Sequence, residues 1–125
     1  MNAVIYVRHA DKSVVNEQLD FCRQYAKDNG ISVVREYIEN TTNRDMEELN
    51  KIVKDSSSGT FNAVIIYTFE RLGRNRLSAM KTVEALQQNS VRVISASENV
   101  NSAFNDAILS LMRQIVNTQK EEENL

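Results

Sequence analysis

Arginines follow three apolar, strand-like runs: Arg8 after Asn2–Val7, Arg44 beyond Ile31–Ile38, and Arg71 with Arg74 beyond Ala63–Thr68. A guanidinium keeps its charge at any working pH and presents a planar fork of donors that matches two phosphate oxygens at once. A single arginine in such a place reads as a solvated surface charge. Several together repel one another and call for an anion or for carboxylates, of which Glu70 and Asp11 are nearest in the chain. The chemistry that fits is the gripping of a phosphodiester. Other phosphate machinery is missing, since neither Gly-x-x-x-x-Gly-Lys nor Gly-x-Gly-x-x-Gly occurs. Glu70 at the end of the third run superficially suits a receiver-type phosphorylation domain. That reading requires an acidic pair after the first run, where Arg8 stands.

Elements that bring these residues together follow from the periodicity. Asn2–Val7 is a buried strand, and Val15, Leu19, Cys22 and Ala26 recur at helical spacing within a helix from Ser13 to Asp28, ended by Asn29-Gly30. Ile31–Ile38 is a second strand and Asn40–Asn43 a polar loop. Asp45–Asp55 is a helix with Leu49, Ile52 and Val53 on one face, followed by a turn at Ser56–Gly59. Ala63–Thr68 is the clearest buried strand; a helix from Ser78 to Gln88, a strand at Val91–Ser95 and a long helix from Phe104 to Glu122 complete the chain. Alternation of strands with helices predicts an α/β, three-layer fold: a mostly parallel sheet of four to five strands, helices on both faces and a long C-terminal helix. In such sheets ligands sit at the carboxyl ends of the strands, where the arginines are.

Bulk composition sets the frame. At 125 residues the chain fits one domain spanning 1–125, and with 42% apolar residues it can build a core without staples. Cys22 and His9 are the only residues of their types, so neither a disulfide framework nor a zinc spacing is present and no metal is expected. The N-terminus lacks the regions of a signal peptide, and no apolar run approaches the ~20 residues that span a bilayer. A cytoplasmic, reduced setting with no membrane partner is the expectation. The net charge of −2 places any nucleic-acid contact in a local patch or in another domain.

With those residues in place, the chain resembles the catalytic domain of the serine site-specific recombinases, the group of resolvases, invertases and large serine integrases. The resemblance rests on Ile5-Tyr6-Val7-Arg8, on Gln18, and on Glu70-Arg71-Leu72-Gly73-Arg74. It continues through Gly59-Thr60-Phe61-Asn62-Ala63-Val64, Ser97-Glu98-Asn99-Val100 and the terminal Glu121-Glu122-Glu123-Asn124-Leu125, and so covers essentially the whole chain. It implies a resolvase-like fold and a serine nucleophile that attacks a DNA phosphodiester, forming a phosphoserine and freeing a 3′-hydroxyl. Neither metal nor nucleotide cofactor is implied. Carried over by motif, Arg8, Arg71 and Arg74 bind the phosphate and stabilise the transferring phosphoryl group. Arg44 and Gln18 join them as phosphate-contacting residues, and Glu70, in place of the family's aspartate, orders the arginines or assists proton transfer.

The resemblance breaks at the nucleophile. Its position is taken by Ala10, which has no group able to attack phosphorus. Alanine there reads either as an introduced replacement of serine or as a natural loss of chemistry, and on both readings the chain is inactive as written. The alternative function is a non-catalytic, recombinase-like DNA-binding or regulatory homologue. Ser13 is expected to cap the first helix rather than to replace the nucleophile, His9 to be structural or solvated, and Cys22 to pack in the core. Asn43-Arg44-Asp45-Met46 lacks the proline and glycine that family members carry there.

The final helix carries Phe104, Ala107, Ile108, Leu111, Met112, Ile115 and Val116 on a wide apolar face. It is expected both to pack on the sheet and to serve the homodimer and synaptic homotetramer that the resemblance implies. Family members continue into a DNA-binding domain, which is expected to be absent from this chain.

Overall fold

The computed structural model describes residues 1–41, 45–73 and 75–98. Four strands alternate with three helices: β1 (Asn2–Arg8), α1 (Lys12–Asp28), β2 (Ser32–Glu39), α2 (Glu47–Asp55), β3 (Ala63–Ile66), α3 (Arg76–Gln88) and β4 (Arg92–Ser95). Short 3-10 turns lie at Ser56–Ser58 and Phe69–Leu72. The strands form one sheet in the order β2-β1-β3-β4, and every pairing is parallel. Arg44, Arg74 and the expected helix from Phe104 to Glu122 lie outside the described residues.

Apolar residues on both faces of β1 and β3 account for the three layers. Val4, Tyr6, Val64 and Ile66 pack with Leu49 and Ile52 of α2 and Val83 and Leu86 of α3. Ala3, Ile5, Val7, Ala63 and Ile65 meet Val15, Leu19, Cys22 and Ala26 of α1 on the other side. Period-2 alternation thus places successive residues of one buried strand in two separate cores, as a parallel sheet covered on both faces requires.

The boundaries of α1, α2, β3 and α3 differ from the sequence expectation. α1 is capped by Asp11, whose Oδ1 accepts the Ser13 N–H at 2.8 Å and the Ser13 hydroxyl at 2.7 Å; Ser13 is a donor to the cap and not the cap itself. α2 begins at Glu47, because Met46 takes a left-handed conformation at φ 53° and cannot continue a helix upstream. β3 stops at Ile66: the next carbonyl, that of Tyr67, accepts the Ser97 N–H beyond the ladder, and the chain turns at Thr68 into the 3-10 segment. Asn75 then caps α3 through the Ser78 N–H at 2.9 Å, so that helix starts two residues before the expected Ser78. Gly30 closes α1 with φ 65°, as the Asn-Gly signal predicts.

Candidate active site

β1 and β3 are neighbours, so the segments leaving their carboxyl ends lie side by side. Arg8 is the last residue of β1 and half-buried. One of its terminal nitrogens lies 3.5 Å from the Glu70 carbonyl oxygen and 3.4 Å from that of Gly73. These contacts are long, and they leave most of the guanidinium's donor capacity unspent. Arg71 is held in the 3-10 turn, where its own N–H donates to the Thr68 carbonyl at 3.1 Å.

Four buried side-chain polar atoms among the described residues find no hydrogen-bond partner: Arg8 Nε, Arg71 Nε, Gln18 Oε1 and Thr68 Oγ1. Their carriers end β1, occupy the turn after β3, or sit early in α1, the helix that β1 runs into. Gln18 is only 3% exposed. Leaving a buried donor or acceptor unmatched costs on the order of 1–3 kcal/mol, and such groups concentrate where a ligand supplies the missing partner. The sequence-predicted Arg8 and Arg71 each hold a buried donor without an acceptor, whereas Gln18 holds a buried acceptor without a donor.

Ala10 is exposed, in the loop between β1 and α1. Asn40, just past β2, holds that loop: its side-chain nitrogen donates to the carbonyl oxygens of His9 and Ala10, each at 3.1 Å. His9 Nδ1 accepts the Asp11 N–H at 3.0 Å, which places the proton of a neutral imidazole on Nε2. The hydrogen bonds from Ser13 hold the Asp11 carboxyl below its ordinary range.

Glu70 enters the site by its backbone. Its carbonyl oxygen meets Arg8, while its exposed carboxylate forms no ion pair among the described residues. Asp11, the other expected counter-charge, is spent on capping α1. A buried carboxylate does stand at this edge, at Glu39, which is 5% exposed. It accepts the Tyr6 hydroxyl and, at 2.9 Å, the Glu48 N–H. Burial first, then the hydrogen bond to Glu39, pushes the Tyr6 hydroxyl far above its ordinary pKa. No group of three or more His, Cys, Asp or Glu residues that could hold a metal ion occurs among the described residues.

The family model of the resolvase N-terminal domain matches residues 3–124. The chain belongs to that family, the catalytic domain of the serine recombinases. Its fold recurs in the N-terminal catalytic domain of TP901-1 integrase, with a TM-score of 0.87, 22% identity, and coverage of 98% of this chain and 99% of that one. A resolvase-family site-specific recombinase from Streptococcus pneumoniae gives a TM-score of 0.88 at 18% identity, covering 99% of this chain and 91% of that one. The C-terminal catalytic domain of ISC1926 TnpA, an IS607-like serine recombinase, matches with a TM-score of 0.69 and 23% identity over 76% of this chain and 69% of that one. No curated protein sequence matches significantly.

Within this recombinase domain, the sequence by itself assigned no role to the side chains of Glu39 and Thr68 or to the bare Cα of Gly73. Glu39 reads as one more polar residue at a strand end, and only the fold shows what it caps. Gly73 carried a clearer signal, a glycine between two arginine-bearing steps. A Cβ there would stand 2.4 Å from the Ala79 nitrogen, at the start of α3, so only glycine lets the loop lie this close.

Proposed function

We propose that this recombinase domain holds a scissile DNA phosphodiester with Arg8 and Arg71, assisted by Gln18 and by Arg44 and Arg74 from the neighbouring loops. The observation that carries the reading is the pair of buried donors, Arg8 Nε and Arg71 Nε, that find no acceptor. Phosphate oxygens satisfy the arginine donors, and neutralising the charge that grows on a transferring phosphoryl group is the service arginines give such chemistry. In the reaction of the family, a serine hydroxyl at the position of Ala10 gives up its proton as its oxygen bonds to phosphorus, the P–O3′ bond breaks and the 3′ oxygen takes up a proton, and the strand is held as a phosphoserine ester until the reverse attack rejoins it. Ala10 supplies no oxygen, so this chain grips DNA without cutting it. Dimers and the synaptic tetramer form through residues 104–122.

Restoring the nucleophile tests the reading. Ala10→Ser protein mixed with DNA carrying its recombination site is expected to yield a covalent protein–DNA adduct, and the unmodified chain none. A folded Ala10→Ser protein that binds the site and forms no adduct favours the second reading, a binding or regulatory homologue, which the alanine itself supports. Duplex DNA that leaves the Nε–H resonances of Arg8 and Arg71 unmoved sinks both.

A further inference from the structure

The 3-10 turn Phe69–Leu72 carries Arg71, yet its own capping position is empty-handed: Thr68 makes no side-chain cap. The first N–H of the turn, that of Phe69, donates instead to Glu98 Oε1 at 3.0 Å. The same oxygen accepts the hydroxyl of Ser95 at 2.7 Å, and Ser95 is fully buried at the end of β4. Next to it, the Ser97 N–H and hydroxyl both donate to the Tyr67 carbonyl, one residue before Thr68. Glu98 therefore ties the arginine turn to the rigid end of β4 through one carboxylate oxygen. A carboxylate that accepts an N–H at the start of a turn satisfies a donor the turn cannot satisfy itself, and hydrogen bonds to a charged acceptor are among the stronger ones.

We infer that Glu98 is a positioning residue, which sets where Arg71 is presented by capping its turn from β4. The inference rests on the phosphate-holding reading of Arg71. Glu98 bears a negative charge beside an anion site, so its use there is structural alignment and not contact with phosphate.

Nitrogen-15 spectra of the full chain titrated with inorganic phosphate test it, read at the Arg71 Nε–H and at the Phe69 amide. In the unmodified chain Arg71 Nε–H is expected to shift with phosphate; no shift there refutes the phosphate-holding reading itself and leaves the cap to be judged by Phe69 alone. In Glu98→Ala the Phe69 amide should lose protection from hydrogen exchange, and the Arg71 response should weaken roughly tenfold in apparent affinity. Glu98→Gln, whose amide oxygen still accepts, should restore both. An Arg71 response or a Phe69 protection unchanged in Glu98→Ala overturns the inference. So does a Glu98→Ala chain that loses the protected amides of β1 and β3 as well, since the role would then be global, and so does failure of a folded Glu98→Gln chain to recover.

Discussion

The Glu39 carboxylate, buried at the end of β2, accepts the main-chain N–H of Glu48 at 2.9 Å and so caps a helix that begins eight residues later. Met46 occupies the capping position with no side-chain acceptor to offer. Truncation of Glu39 strips α2 of its cap and leaves the buried Tyr6 hydroxyl without its acceptor. Glu39→Ala is expected to cost about 2–3 kcal/mol in urea unfolding, and Glu39→Gln, which keeps an acceptor oxygen, clearly less.

Gly73 lies where any side chain collides with backbone at the start of α3. Gly73→Ala should destabilise the fold by about 1–3 kcal/mol, the range for overpacking. Because the Gly73 carbonyl also meets Arg8, phosphate titrations of that variant should show a weaker response at Arg8. Unchanged thermal unfolding together with an unchanged response contradicts the close packing.

Anion binding should stabilise the domain by relieving its unmatched arginines. With phosphate at a hundred times its dissociation constant the expected gain is about 2.7 kcal/mol, read as a rise in the unfolding midpoint relative to chloride at equal ionic strength. In Arg71→Gln most of that gain should vanish.

Acid should loosen the start of α1. The Asp11 carboxyl titrates below its ordinary value of 3.8 because Ser13 hydrogen-bonds to it, so its contribution is complete above that value and is lost as the pH falls through the lowered folded-state pKa. Exchange of the Ser13 amide should accelerate over that acid window and not near neutrality. Asp11→Asn keeps a capping oxygen and should remove the pH dependence while preserving the helix start.

Burial pushes the Cys22 thiol up to about 12. The raised value keeps it protonated, and so unreactive, through the neutral range. Alkylating reagents are expected to leave the native chain unlabelled at pH 7–8 and to modify Cys22 only when denaturant is added; mass spectrometry distinguishes the two.

The layers and the site's address were legible because they rest on strong periodic signals. The Val15, Leu19, Cys22 and Ala26 stripe and the Ala63–Ile66 run lead directly to a parallel sheet with covered faces, and the carboxyl-edge rule then leads to Arg8 and Arg71. What stayed hidden depends on backbone paths that pattern does not encode. Ser13 looks like a cap as much as Asp11 does until the chain direction at the loop is known. Glu70 looks like the arginines' counter-charge because it is adjacent in sequence, whereas the turn gives Arg8 its carbonyl. Glu39 and Glu98 act on segments that only the fold brings beside them.

The sheet order has a consequence for how this edge comes into being. β1 is synthesised first but sits in the middle, hydrogen-bonded on both sides to strands made afterwards, with Ala3 paired to Ser32's neighbour Val33 on one side and to Ala63 on the other. Arg8 thus emerges from the ribosome long before the turn whose carbonyls it meets. Pairings so distant along the chain are slow to close, and until they do the apolar run of β1 has no cover. This arginine edge cannot ripen piece by piece; it is expected to arise late and all at once, in the same step that completes the sheet.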